Sequence, residues 1–392
     1  VSSLLSSSDV GTAVGYAALN LVIILIPPLG VCGLRGLIGK LNNLGGWMAD
    51  QGKLQADLTF KSNKTDVDQL LEYAAFTTQY YNEVGYLNDT VPVKTTAPST
   101  ETSPIQLVLP TDIDFALKAN IDNATIFKQK ATNLRASLYL QNGTLLLDDL
   151  GFDSDMANVS LDAKLIAPQP KPEEHKATPD STYLGFAFQM KDIRIAKIID
   201  MIPQVDSLMP MLRTFSGNVD MNLTWSSWYD SKYYYIQNST NGALSISGQN
   251  LTLVPNNIYN IVSKILVFKK SDSNNIDSLY AEARLVQDTI KIYPFHIRLN
   301  KLLATVGGYN NYDAAGNITD MFYHVSVSKP ILLGLDIKGK SDNLKFRLSK
   351  VRFGNSYNPV RKFEVNEQSE TIENDINSAI SLFLSTLRPT GQ

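Results

Sequence analysis

Alternation of apolar and polar residues with a period of two dominates the chain. Val219, Met221, Leu223 and Trp225 alternate with Asn218, Asp220, Asn222 and Thr224. Met321, Tyr323, Val325 and Val327 alternate with Phe322, His324, Ser326 and Ser328, while Leu344, Phe346 and Leu348 point opposite to Lys345 and Arg347. Successive side chains of a strand point to opposite faces, so this spacing predicts strands with one buried face. Residues 137–141, Asn142-Gly143 and 144–147 read as a hairpin, because Asn-Gly accommodates the two positive φ values of a type I′ turn. Gly316-Asn317 and Lys340-Ser341-Asp342 read as further turns. On the order of a dozen or more strands are predicted, at the spacing of an extended antiparallel sheet.

Helical periodicity is scarce. Ile195, Ile198, Ile199 and Ile202 share one face, as do Val205, Leu208, Met209, Leu212 and Phe215 after Pro203. Asn257 is placed to cap a segment bearing Ile258, Ile261, Val262 and Ile265. An amphipathic helix is predicted over 368–389, with Ser369 as N-cap and Glu370 and Glu373 in its first turn. Its stripe is Ile372, Ile376, Ile380, Phe383 and Leu387, Pro389 stops it, and its expected role is a lid or end-cap on the sheet.

These elements divide the chain. Residues 1–50 form an apolar N-terminal segment without assignment. Ala13 to Leu34 within it is long enough to span a bilayer, but Pro27-Pro28 interrupts it. A buried strand–turn–strand and a kinked membrane-inserted segment both fit. No basic stretch precedes the apolar run, so it does not read as a secretory signal, and a further piece upstream is expected. Residues 51–167 form a β-repeat region containing a Thr/Pro-rich loop at 88–104. Residues 168–182 read as a Pro-rich linker and 183–353 as a second β region. A strand followed by an acidic, hydrophobic helix start recurs, as in 56–60 with 66–71 and 186–190 with 192–195, which suggests growth by repetition.

Composition narrows the chemistry. Lys and Arg number 35 against 38 Asp and Glu, so there is no global footprint for nucleic acid. A single cysteine, Cys32, excludes an internal disulfide framework and any cysteine-based metal site. The three histidines are His175, His296 and His324; the last two read as exposed strand residues on the polar face. No hydrolase, zincin, phosphate-loop or dinucleotide motif is present. Asp148-Asp149 and Glu173-Glu174 are adjacent carboxylates, which on a strand point to opposite faces and do not converge. Nine Asn-x-Ser/Thr sequons read as chance in an Asn-rich β protein.

Several stretches resemble the C-terminal region of the AsmA-like family of Gram-negative envelope proteins. One runs from Leu109-Pro110-Thr111-Asp112 to Leu165 and includes the Asn142-Gly143 hairpin. A stronger one joins Ser216-Gly217-Asn218-Val219-Asp220, Leu244-Ser245-Ile246-Ser247-Gly248, Tyr293-Pro294-Phe295 and Lys338-Gly339-Lys340-Ser341-Asp342 in the family's order. The resemblance covers roughly 52–353. It implies a mainly β fold: an elongated, curved antiparallel β-sheet trough anchored in the inner membrane and projecting into the periplasm, similar to the TamB- and YhdP-type bridge-like lipid transfer proteins. Implied partners are phospholipid or another acyl-chain lipid, membranes at one or both ends, and envelope proteins. Asp89-Thr90-Val91 resembles a periplasmic O-glycosylation site, which makes Thr90 a candidate.

The residues support part of this independently. Few helices are available to cover the apolar face of so many strands. That face must fold into a sandwich, meet a second chain, or stay open to lipid. Its candidate groove-lining residues are Leu117, Leu138, Leu140, Val219, Met221, Leu223, Val325, Val327, Leu344, Phe346 and Leu348. The expectation is a non-enzymatic protein with no cofactor, metal or catalytic residue, binding or conducting phospholipid and supporting outer-membrane biogenesis. The alternatives are a scaffold that assists outer-membrane protein assembly or secretion, and a surface glycan-binding protein built on Tyr233-Tyr234-Tyr235 with Trp225 and Trp228.

Overall fold

A computed structural model describes residues within 48–69, 109–167, 181–197, 215–254, 275–353 and 360–386, with a few positions inside these ranges excepted. Among them, seventeen strands form one sheet. The strands are β1 (Met48–Asp50), β2 (Lys53–Ser62), β3 (Thr65–Asp66), β4 (Ile113–Ile126), β5 (Gln129–Gln141) and β6 (Thr144–Ser154). They continue with β7 (Asn158–Ile166), β8 (Thr182–Arg194), β9 (Phe215–Ser216), β10 (Asn218–Tyr229), β11 (Asn241–Leu253) and β12 (Asn275–Val286). The last are β13 (Thr289–Leu299), β14 (Leu302–Tyr312), β15 (Ile318–Lys329), β16 (Leu333–Lys340) and β17 (Asn343–Ser349), followed by helix α1 (Val360–Thr386).

Strands pair almost entirely in chain order. From β4 to β8 and from β10 to β17 each pairs antiparallel with the next, and β8 pairs with β10. The sheet is mixed rather than wholly antiparallel, since β2 and β3 run parallel to β4. It is long, curved and unclosed. The ladder crosses the Pro-rich linker without a break, because Ile166 of β7 lies opposite Tyr183 of β8. With strands about 4.8 Å apart, the ladder has a contour of roughly 65 Å.

Asn and Asp produce much of the curvature. Register shifts interrupt the β5–β6, β6–β7 and β8–β10 pairings, and Asn133, Asp149 and Asp192, with φ of 54°, 50° and 56°, sit at these irregularities. Such residues tolerate positive φ because a short polar side chain can bond locally, and a bulge bends its strand and increases its twist. At two of these sites the bulged N–H donates to an aspartate on the next strand: Asp149 to Asp162 Oδ1 at 2.7 Å and Asp192 to Asp220 Oδ1 at 2.8 Å. The Asn142-Gly143 turn has φ of 49° and 70°, as the type I′ reading requires.

Helix α1 departs from its predicted bounds. It starts at Val360, so Ser369 lies inside it, with its hydroxyl 3.2 Å from that of Thr224. Packing explains the extension: Val365, upstream of the predicted start, is buried with Ala243 and Tyr293. Phe215, placed by periodicity on a helix, instead opens β9 and pairs with Leu253. The Ala13–Leu34 segment, the 88–104 stretch with Thr90, residues 168–180, Tyr233–Tyr235 and the segments after Pro203 and Asn257 lie outside the described residues. No helix among the described residues is long and apolar enough to cross a membrane.

Candidate apolar site on the inner face of the sheet

One face of the sheet carries a continuous apolar cluster that runs from Ala56 on β2 to Ile337 on β16, with Leu344 and Phe346 of β17 packed against it. Ten of the eleven predicted groove residues belong to it or pack against it: Leu117, Leu138, Leu140, Val219, Met221, Leu223, Val325, Val327, Leu344 and Phe346. Leu348 continues the alternation of β17 opposite Leu335, but it is 59% exposed. Alternation thus brings these residues onto one face, and the tertiary structure then separates them. Leu138, Leu140, Val219, Met221, Val325 and Val327 are buried. Leu117, Leu223, Leu344 and Phe346 are half-buried.

Accessibility rises at both ends of the ladder. On β2, Leu58 is half-buried and Phe60 is 42% exposed, on the same side as Ala56. At the other end the half-buried Leu344 and Phe346 lead to the exposed Leu348. Between them, Leu223, Leu244, Ala281 and Leu285 remain partly accessible.

A polar island interrupts this face between β14 and β15. Asn310 is fully buried; the Tyr323 hydroxyl donates to its Oδ1 at 2.9 Å, and its Nδ2 donates to the Tyr312 hydroxyl at 3.4 Å. Burial pushes the Tyr323 hydroxyl up to about 12, and burial also raises that of Tyr312. Both phenols are therefore neutral hydrogen-bonding groups at any physiological pH.

Helix α1 packs on the opposite face. Ile372, Ile376, Ile380 and Phe383 bury Ala116, Tyr139 and Leu146, the residues that alternate with the inward Phe115, Leu138, Leu140, Leu145 and Leu147. Polar contacts fix the crossing: Asp375 accepts from Lys164 Nζ at 2.7 Å and from the Tyr183 hydroxyl at 3.1 Å, and Arg284 donates to Gln368 at 3.1 Å. The helix braces the outer face across strands from β5 to β12 and leaves the inner apolar face uncovered by it.

His324 corrects another expectation. It lies on the outer face of β15, as its alternation requires, yet it is fully buried rather than exposed. Its Nδ1 is 2.5 Å from Asp336 Oδ1 and its Nε2 is 2.8 Å from Ser326 Oγ. The Arg352 N–H donates to Nε2 at 3.3 Å, which assigns the ring proton to Nδ1. Although burial opposes ionisation, hydrogen bonds from His324 and Ser349 and the charge of Arg352 together hold the Asp336 carboxyl below its usual range. The order Ser326–His324–Asp336 has the connectivity of a nucleophilic triad. Ser326 is itself buried, however, and its Oγ accepts the N–H groups of Arg352 and Phe353, both at 3.0 Å. Its lone pairs are occupied, and the network fastens 351–353 onto the sheet. Sequence could have flagged it only through covering residues that lie 26 positions away. His296, by contrast, is half-buried on the polar side and bonds Thr305 at 2.8 Å.

A bulge overturns the divergence expected of Asp148 and Asp149. Asp149 adopts positive φ, and Asp148, Asp149 and Asp162 interact across β6 and β7. Burial first, then Asp162 and Asp149, raises the Asp148 carboxyl; burial raises Asp162 against the Asp149 N–H that it accepts, with the Asp149 charge adding to the rise, and burial and Asp162 raise Glu373 of α1. No group of His, Cys, Asp and Glu among the described residues could hold a metal ion. Trp225 is buried, and its indole donates to Tyr229 at 3.2 Å, so it contributes to the core rather than to a sugar platform. What the inner face offers chemically is apolar contact, relieved by the amide and phenols of the Asn310 island.

Comparison of the chain with protein-family models, with curated proteins and with solved structures yields no match.

Proposed function

We propose that this chain is a non-enzymatic envelope protein of AsmA-like type that binds or conducts phospholipid along the apolar face of its sheet, between inner and outer membrane. The observation that carries the reading is one curved, unclosed sheet whose apolar cluster extends from β2 to β16, buried along much of its length with half-buried members between, while α1 occupies the other face. Burial of each methylene contributes about 0.8 kcal/mol, so an acyl chain gains continuously along such a surface without any special residue. Accessible apolar side chains at both ends, Phe60 and Leu348, suit entry and exit. Periplasmic placement and an inner-membrane anchor follow from the same reading.

Native mass spectrometry of protein purified without detergent tests it. Adducts of phospholipid mass are expected, and they should be lost in Leu117→Asp/Leu223→Asp, two half-buried positions where a carboxylate can be tolerated by the fold. Protein that carries no lipid, or a double variant that is folded and equally loaded, removes the proposal. A second reading, assistance of outer-membrane protein assembly, is favoured by β17 having one ladder partner among the described residues. That leaves its other edge, among the described residues, for strand addition. Proline substitution along that edge would abolish this activity and spare lipid loading.

A further inference from the structure

The last two strands of the ladder combine exposed apolar side chains with positive charge of one sign. Residues 338–352 carry Lys338, Lys340, Lys345, Arg347, Lys350 and Arg352 against a single carboxylate, Asp342. All six cations are exposed. Among the described residues Arg352 alone of the six is ion-paired, with Asp336 at 2.8 Å, and that carboxylate is already committed to His324 and Ser349. Lys338 and Lys345 lie directly opposite each other on β16 and β17, a like-charge pair that costs stability in the free protein. On the other face of the same strand Leu344 and Phe346 are half-buried and Leu348 is 59% exposed, and Leu332 before β16 is 77% exposed.

Lysine on an edge strand often serves only to block aggregation. That role accounts for one or two charges. It leaves unexplained the opposed Lys338–Lys345 pair and the bare leucines beside them, which defeat such a purpose. Nucleic acid would satisfy the cations but not Leu332 and Leu348. A surface that offers anions with hydrocarbon immediately beneath satisfies both.

We propose that the β16–β17 end of the sheet docks on an anionic phospholipid bilayer, with Lys338, Lys340, Lys345 and Arg347 against headgroups and Phe346 and Leu348 at the hydrocarbon boundary. The bilayer relieves the Lys338–Lys345 repulsion, and β17 becomes the seam between sheet and membrane. This inference concerns the surface on which the sheet ends, and it stands whether or not lipid travels along the inner face.

Co-sedimentation of the full chain with two kinds of vesicle tests it: phosphatidylcholine alone, and an equimolar mixture of phosphatidylcholine and phosphatidylglycerol. Binding is expected to the mixed vesicles only and should fall steeply with added salt. Lys345→Glu/Arg347→Glu should weaken it by about tenfold or more. Leu348→Ser should weaken it while keeping the salt dependence. All these positions are exposed, and matching thermal unfolding of each variant verifies the fold. Equal binding to both vesicle types, or full binding by the charge-reversed variant, overturns the proposal. So does charge-dependent capture of duplex DNA without vesicle binding, which would assign the patch to nucleic acid. Lipid adducts in native mass spectra are read separately: their presence with vesicle binding absent sinks this inference and leaves the proposed function standing, and the reverse pattern does the opposite.

Discussion

The backbone N–H of Asp149 donates to Oδ1 of Asp162 at 2.7 Å across a bulge, and the same relationship recurs between Asp192 and Asp220 at 2.8 Å. The bulge strands one N–H outside the ladder, and an aspartate on the neighbouring strand supplies the missing acceptor. The device bends the sheet without leaving an unsatisfied donor, and at the first site it sets Asp162 beside Glu373 of α1.

That placement has a pH signature. Burial, with the Asp149 charge, raises Asp162 in the folded protein against the Asp149 N–H that it accepts, so its contribution to stability is fully present below the unfolded carboxyl pKa and is lost as pH rises through the folded value. Asp162→Asn keeps the Oδ1 acceptor and removes the charge. It should stabilise the protein at neutral pH, by less than about 1 kcal/mol because the site is partly solvated, with the gain vanishing in mild acid. Asp162→Ala should instead lose about 1–2 kcal/mol at either pH. Urea denaturation of the three proteins at neutral and mildly acid pH checks both.

Asp336 titrates in the opposite sense. Its carboxyl is held below the usual range in the folded state, so the stability it contributes is present above the unfolded pKa and is lost as pH falls through the folded one. Asp336→Asn should destabilise at neutral pH and match the parent in strong acid. Hydrogen exchange should show faster opening of the Arg352 and Phe353 amides, because Asn still accepts from His324 but turns an amide NH2 toward the Arg352 guanidinium, which loses its ion pair. Unchanged protection there would detach the network from its fastening role.

Ile376 anchors α1 among Ala116, Tyr139 and Leu146. Ile376→Ala should cost about 2–4 kcal/mol. If the helix braces the sheet, the loss appears as exchange in α1 and along β5 to β8 together. Exchange confined to α1 would show the sheet to hold its curvature alone.

Gly308 faces Tyr323 across the β14–β15 ladder, and a Cβ there would collide with the Phe322 carbonyl oxygen and the Tyr323 backbone. Gly308→Ala should therefore destabilise by several kcal/mol despite being a one-carbon change, on the scale of core overpacking. Tyr323→Phe, which removes only the bond to Asn310, should cost about 1 kcal/mol. A thermal melt that ranks the two in the other order would contradict the close approach of these strands.

Much of this was legible from residues 137–147, 219–225, 321–328 and 344–348, because side-chain direction along a strand is a local property with a period of two. Their alternation assigned ten groove candidates to one face, and Asn142-Gly143 located its turn. Local periodicity could not show how deeply each residue sinks. Leu140 and Leu348 carry the same pattern, yet one is fully buried and the other lies bare at the edge, since burial depends on position within the ladder. Nor could it place α1: its stripe was readable, but the face that receives it is Ala116, Tyr139 and Leu146, residues on the nominally polar side. His324 was misjudged for the same reason, since the segment that covers it follows two strands later. The chain by itself determined which way each strand residue points; only the assembled sheet decided which are shut in, because shielding from water is conferred by neighbours distant in sequence.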